Sequence, residues 1–298
     1  MRILLTGKDG QVGFELQRTL APLGDVIAVD QAQCDLADAQ AIRQLVREVQ
    51  PHIIVNPAAY TAVDKAESEP ELAMAVNGIA PGILGEEAAR LDAWVVHYST
   101  DYVFDGSKET PYDENDAPNP QSVYGRSKLA GERALQASGA QSLILRTSWV
   151  VGAHGNNFAK TILRLAAERD SLNVVADQFG APTSAALLAE VTAQLIGQAA
   201  GQGRAGFPFG LYHLAPAGET SWHQYAAHVL ERASAAGMAL KLKAENLRAI
   251  TSAEYPLPAK RPANSRLNTA KLRLTFQRDL PDWKTEVDQV LDQILGSI

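Results

Sequence analysis

Short runs rich in Ile, Leu and Val punctuate the first half of the chain, at residues 2–6, 26–30, 52–56, 94–99 and 143–147. Several are apolar without alternation, the pattern of a strand covered on both faces. Between them, residues 13–23, 39–49 and 70–91 carry apolar side chains at three- and four-residue spacing, which predicts amphipathic crossover helices. The rhythm of strand and helix predicts an α/β fold built on a doubly wound parallel sheet.

After about Val150 the rhythm loosens. The pattern predicts a helix over 157–169, a strand near 172–176, a helix after Thr183 and a strand at 211–214. Residues 199–209, dense in Gly and Pro, read as a loop. Beyond Ser221 come a helix over 222–236, a Pro-broken stretch at 255–262 and a terminal helix after Pro281 and Asp282. The division expected is a nucleotide-binding domain over 1–150, with 172–215 adding to its sheet. A smaller mixed α/β lobe over 151–171 and 216–298 is expected to bind substrate. No fixed-period repeat, low-complexity tract or charge block interrupts this plan.

Composition narrows the function classes. The 298 residues are 46% hydrophobic and 20% charged, ample for a large core. A net charge of −7 gives no global attraction to nucleic acid or anionic membrane, so neither is expected as a partner. The single cysteine, Cys34, allows no disulfide framework within the chain, and no stretch approaches a membrane span or a signal-peptide core. A soluble cytoplasmic protein is expected.

Directly after the first strand stands Gly7-Lys8-Asp9-Gly10-Gln11-Val12-Gly13, followed by an amphipathic helix. Glycines there permit a tight turn and let backbone N–H groups approach a pyrophosphate at a helix N-terminus. This placement predicts a Rossmann-type dinucleotide site. Asp30 ends the second strand, 17 positions after Gly13, where a carboxylate accepts from the adenosine ribose. By charge alone it favours NAD over NADP. Asp35 and Leu36 have two readings, contact with the adenine ring or, for Asp35, a helix cap near Asp38.

The sharpest signal is Tyr124-Gly125-Arg126-Ser127-Lys128 read with Ser99-Thr100-Asp101 at the end of the fourth strand. Positions i and i+4 of a helix share a face, so the Tyr124 hydroxyl and the Lys128 ammonium can serve one site. A ketone gaining hydride develops negative charge on oxygen and must receive a proton. A nearby cation favours the phenolate, so Lys128 is expected to lower the pKa of Tyr124 as well as to hold ribose. Thr100 is expected to donate to the same carbonyl oxygen.

With these residues in view the chain resembles the extended short-chain dehydrogenase/reductase superfamily and, within it, the dTDP-4-dehydrorhamnose reductase family, over nearly its whole length. The most specific stretches are 7–13, Ala62-Val63-Asp64-Lys65-Ala66-Glu67, 97–104, 123–131, Arg146-Thr147-Ser148-Trp149, Gly155-Asn156-Asn157-Phe158, 177–183 and Arg261-Pro262 with Ser265-Arg266-Leu267. The resemblance implies reduction of the C4 ketone of dTDP-4-dehydro-β-L-rhamnose by NADPH or NADH, the last step of dTDP-rhamnose synthesis. It implies Gly10, Gln11 and Val12 as pyrophosphate loop, Asp30, Asp35 and Leu36 on the adenosine side, and Ala59, Tyr60 and Thr61 as a wall of the cofactor site. Thr100, Tyr124 and Lys128 match the catalytic set, and Asp101 and Trp149 match substrate contacts. Asn156 and Lys160 stand where substrate phosphates could lie, or are an N-cap and a surface lysine. Arg261 and Arg266 either neutralise a diphosphate or form ion pairs. Family members accept NADPH in spite of the acid at Asp30.

The family is associated with a Mg2+-supported homodimer. Glu15 is retained, but Ala186 and Gln293 stand where the other carboxylates align, so the resemblance leaves a homodimer and Mg2+ at its interface open, with few carboxylates to hold the ion. His223 and His228 are five apart and do not suggest a catalytic metal. Tyr60 stands where a histidine is common. Related dehydratases place a glutamate after the Thr-Asp pair, and Tyr102 here speaks against elimination. Another nucleotide-sugar reductase, an epimerase, and a non-catalytic subunit resembling the regulatory beta subunit of methionine adenosyltransferase are the competing readings; the complete Thr100, Tyr124 and Lys128 set opposes the last.

Overall fold

The computed structural model describes residues 1–296. Six parallel strands form one sheet: β1 (Arg2–Leu5), β2 (Asp25–Ala28), β3 (Ile53–Asn56), β4 (Trp94–Thr100), β5 (Gln141–Thr147) and, arriving much later in the chain, β10 (Gly210–His213), in the order β10-β5-β4-β3-β1-β2. From β1 the chain moves outward to β2 and then crosses to β3 on the other side. This reversal places the ends of β1 and β3 side by side, where open sheets of this kind bind ligands.

Period two along each strand sends alternate side chains into two cores. Ile3, Leu5, Ile53, Val55, Val96, Leu143 and Leu145 pack on one face with α1 (Gln11–Leu20), α8 (Ala185–Gln202) and α10 (Ala270–Phe276). Leu4, Ile54, Val95 and Ile144 face the other way, toward α2 (Ala39–Val49), α5 (Ala80–Arg90) and α6 (Val123–Ala137). Each strand is therefore apolar at consecutive positions, as the sequence pattern implied.

A third core lies outside the sheet. α7 (Phe158–Glu168), α9 (Trp222–Ala235) and α11 (Trp283–Leu295) bury Ile162, Leu163, Tyr225, Val229, Val287 and Leu291 together. β7 (Leu172–Val175) belongs here, paired in parallel with β12 (Leu247–Ile250). Of the segment 172–215 expected to extend the main sheet, β10 does so and α8 covers a face, whereas β7 pairs within the smaller lobe. Two-residue ladders complete that lobe: β6 (Val150–Val151) with β9 (Thr183–Ser184), and β8 (Phe179–Gly180) with β11 (Thr220–Ser221).

Three further departures have local causes. The helix expected over 70–91 is preceded by α3 (Val63–Ala66) and is divided, α4 (Pro70–Met74) passing through a π turn at Ala75–Ile79 into α5. α8 runs to Gln202, shortening the expected loop at 199–209. The first helix begins at Gln11 rather than at residue 13, because Gly10 already stands at its N-cap. Among the described residues, no helix is long and apolar enough to cross a membrane.

Candidate active site

The glycine loop joins β1 to α1 as a turn that only small residues can make. Gly7 has φ +59°, and a side chain on Gly13 would stand 2.0 Å from the Gly7 carbonyl oxygen. α1 has no acidic residue in its first turn and no side-chain cap on its N–H groups, which suits an anionic ligand. Its first residue, Gln11, accepts from Asn157 Nδ2 at 3.0 Å and donates to the Val150 carbonyl at 3.4 Å, tying the loop to the smaller lobe. Val12 packs partly into the core below.

Asp30 follows β2 and is ion-paired with Lys8 of the same glycine loop at 3.0 Å. The Lys8 hydrogen bond, ahead of the Gln33 amide, holds the Asp30 carboxyl below its usual range. Lys8 also reaches Gln33. Charge at Asp30 alone does not reveal this partner, although Lys8 lies within the glycine motif. Asp35 accepts from the Ala37 amide at 2.9 Å, while Asp38 is the true cap of α2, accepting from Gln40 and Ala41. Leu36 is buried in the core.

Ala59, Tyr60 and Thr61 follow β3. Asn77, in the π turn, accepts from the Tyr60 amide at 2.8 Å and donates to the Tyr60 carbonyl at 3.0 Å and to Ser127 of α6 at 3.1 Å. It therefore fixes this wall against α6, a role no local sequence signal revealed. The Tyr60 hydroxyl donates to Glu69 at 2.7 Å.

α6 is held at its start by two acceptors. Ser122 is its N-cap, accepting from Gly125, and Glu67 of the Ala62–Glu67 motif accepts from the Val123 amide at 2.8 Å. The other acid of that motif, Asp64, pairs with Arg261 at 2.7 Å. So positioned, α6 brings Tyr124 and Lys128 to the end of β4. Burial pushes the Tyr124 phenol up to about 12, with a contact to the Thr100 hydroxyl opposing and the Asp101 charge adding to the rise. The expected lowering of this pKa by Lys128 is therefore corrected: desolvation of the phenol dominates, and the Lys128 ammonium is directed elsewhere, donating to the Tyr98 carbonyl at 2.7 Å. Burial lowers Lys128 itself to about 8, against the opposing charge of Glu132.

Thr100 ends β4 beside both groups: its hydroxyl donates to Asp101 Oδ1 at 3.0 Å and accepts from the Tyr102 amide at 3.1 Å. A hydroxyl has one proton and rotates to suit its partners, so donation to a substrate carbonyl would exchange the Asp101 bond for it. Beneath them, Glu132 of α6 accepts from Arg146 of β5 at 2.6 and 2.9 Å and from Ser99 of β4 at 2.5 Å, a buried junction of three elements that no local sequence pattern marks.

From the smaller lobe, Trp149 stands half-buried after β5 with φ +49°, a strained value for a bulky residue, and its ring stacks on Trp222 at 3.7 Å. Asn156 is exposed in the following loop, and the cap of α7 is its neighbour Asn157. Lys160 bonds the Gly155 carbonyl at 2.9 Å. Arg266 pairs with Glu219 at 3.0 Å, so both candidate arginines are engaged in ion pairs. Glu15 pairs with Arg18 at 3.4 Å, and the same guanidinium lies 3.9 Å from Glu190. A cation between these carboxylates would meet that guanidinium, and with Ala186 and Gln293 offering no charge the residues do not fit a metal. Among the described residues no group of three or more potential ligands gathers.

A glycine turn at the sheet's switch point, with Tyr124 and Lys128 on a helix beside the end of β4, defines an extended short-chain dehydrogenase/reductase. More narrowly, the chain belongs to the dTDP-4-dehydrorhamnose reductase family: the family model described as RmlD substrate binding domain matches residues 1–295. A dTDP-4-dehydrorhamnose reductase from Shigella flexneri is 51% identical over 298 residues, covering 99% of this chain and 98% of the relative. The crystal structure of an ortholog from Clostridium acetobutylicum superposes with a TM-score of 0.90 at 36% identity, covering 100% of both chains. That of the Bacillus anthracis enzyme in complex with NADP gives 0.87 at 36% identity, covering 97% of this chain and 98% of the other.

Proposed function

We propose that the protein reduces the C4 ketone of dTDP-4-dehydro-β-L-rhamnose to dTDP-β-L-rhamnose with NADPH or NADH, and that Tyr124 is the proton donor. The observation that carries this reading is the placement of Tyr124 and Lys128 one turn apart on α6, beside the end of β4 and at the same sheet edge as the glycine turn. The Tyr124 phenol carries its proton at neutral pH and can give it to an oxygen gaining negative charge. The nicotinamide cofactor supplies the hydride when bound. Gly7, Gly10, Gln11 and Val12 form its pyrophosphate cradle, and Asp30 with Lys8 meets the adenosine ribose. Lys8 gives that acidic corner a cation for a 2′-phosphate, which reconciles Asp30 with use of NADPH.

Asp35, Ala59, Tyr60 and Thr61 line the remaining cofactor surface, Leu36 contributing through its backbone because its side chain is buried. Lys128 lies one turn from Tyr124 on α6 and holds the nicotinamide ribose. The smaller lobe receives the sugar nucleotide, with Asp101, Trp149 and Asn156 on the substrate side. The single cysteine is buried and free, which fits a cytoplasmic location.

The test is purified protein with dTDP-4-dehydrorhamnose and either cofactor. Reduced nicotinamide should be consumed in step with dTDP-rhamnose formed. Tyr124→Phe should lose turnover by on the order of 10²-fold or more while NADPH binding persists. Near-normal turnover in that variant removes Tyr124 from the acid role, and no consumption by the unaltered protein points to another nucleotide sugar.

A further inference from the structure

Trp149 is fixed at both its backbone and its ring. Its φ of +49° lies in the left-handed region, which costs a bulky residue energy and persists only where the neighbours enforce it. The segment entering β9 does so. The Trp149 carbonyl accepts from the Thr183 amide at 3.2 Å, and the adjacent Ser148 hydroxyl donates to the Ala181 carbonyl at 3.1 Å.

The ring is enclosed on two sides. On one face the indole of Trp222 stacks at 3.7 Å with 17° between the planes. Trp222 opens α9 directly after its cap, Ser221, and is backed by Phe158, the first residue of α7, at 4.6 Å. Gly180 of β8 also lies against the ring. A Cβ there would stand 2.7 and 2.8 Å from Cε2 and Cζ2 of the indole, closer than carbon atoms pack. Those two atoms lead the approach rather than Nε1, so Gly180 meets a face of the ring and not its nitrogen edge. The stack on Trp222 leaves no room between the two indoles, so that face is the opposite one. Both walls come from one small ladder. β8 pairs Gly180 with Thr220 and Phe179 with Ser221, and the residue after Ser221 is Trp222.

We propose that Gly180 and Trp222 are positioning residues that clamp the Trp149 indole with its edge toward the sugar nucleotide, setting the affinity for that ligand without entering hydride or proton transfer. The proposal rests on the reading above that Trp149 stands on the substrate side. At position 180 any larger residue would drive the ring from its place. At position 222 a flat partner is needed to cover the other face, which an aliphatic side chain cannot match.

The clamp has a signature of its own, because two stacked indoles couple their transitions and give an exciton couplet in far-ultraviolet circular dichroism. Trp94 packs on Phe207 and Phe209, and Trp283 on Tyr225 and His228, so the couplet reports on Trp149 and Trp222. The intact protein and its Gly180→Ala, Trp222→Leu, Trp222→Phe and Trp149→Ala variants are compared in three ways: the couplet, calorimetric affinity for dTDP-rhamnose with NADP+ present, and KM and kcat for dTDP-4-dehydrorhamnose. Gly180→Ala should shrink the couplet. Gly180→Ala and Trp222→Leu should each weaken dTDP-rhamnose binding and raise KM by about tenfold, the scale of one aromatic contact. Their kcat should stay within about twofold and their NADPH affinity should hold, the pattern of lost ground-state binding. Trp222→Phe, which keeps a flat partner, should bind as the unaltered protein does although the couplet is gone. If Trp149→Ala weakens binding while folded Gly180→Ala and Trp222→Leu leave affinity and KM unmoved, the clamp is overturned and the place of Trp149 stands. If Trp149→Ala binds as tightly as the unaltered protein, the reading beneath the clamp falls and the clamp with it. A merely structural role lowers the thermal midpoint with KM in place, which also contradicts the proposal, and Trp222→Leu decides alone where Gly180→Ala does not fold.

Discussion

Asp101 shows what burial does to a single residue here. It is 2% exposed, and desolvation, opposed by the hydroxyls of Ser265 and Thr100, raises its pKa from 3.8 to about 6. Between those two values the native state binds more protons than the unfolded chain, so stability falls as pH rises through this window. At neutral pH the buried carboxylate costs on the order of 2–3 kcal/mol. Asp101→Asn, which keeps an acceptor for Thr100, should therefore raise stability near pH 7 by that order, the gain fading near pH 4. Urea denaturation at the two pH values measures it, and an equal gain at both contradicts the ionisation argument. The spacing of Tyr124 and Lys128 was legible in the sequence because i,i+4 is a local helical rule. The destination of the Thr100 proton, the Lys8 partner of Asp30 and the Asn77 clamp on Tyr60 were not, because each depends on where separate elements meet.

At the scale of elements, the position of α6 decides whether the site exists. Its start is capped by Ser122 and Glu67, and its middle is bolted to β5 and β4 through Glu132, Arg146 and Ser99. Glu132 and Arg146 side chains are 2% and 3% exposed, so breaking this pair leaves a buried guanidinium without its counter-charge. Glu132→Gln should destabilise the fold by about 3–5 kcal/mol, read as a lowered urea midpoint; a change within 0.5 kcal/mol, about that of an ordinary surface substitution, contradicts this. The sheet strands were legible because four or more apolar residues bounded by turn formers carry a strong signal. β12 is interrupted by Arg248 and half exposed, α10 and the two-residue ladders are too short to show a period, and the π turn that presents Asn77 leaves the apolar spacing of its helix almost unchanged.

Across the whole molecule, the parallel sheet brings the glycine turn, the wall after β3 and the Thr100-Asp101 pair to one edge, and α6 closes that edge with Tyr124 and Lys128. The smaller lobe reaches the same edge through Trp149 and through Asn157, which meets Gln11. The parallel architecture was legible from the alternation of strand and helix alone. The composition of the smaller lobe was less so, since β7 finds its partner in β12, some 70 residues away, and no local pattern specifies such a pairing. The arrangement makes one central claim, that hydride goes to the sugar C4 while Tyr124 protonates the oxygen. Its most direct test uses NADPH deuterated at the transferable position of nicotinamide C4, with the dTDP-rhamnose product examined by NMR. Deuterium is expected at sugar C4 and nowhere else on the sugar. Product lacking the label, or carrying it at another carbon, would contradict it.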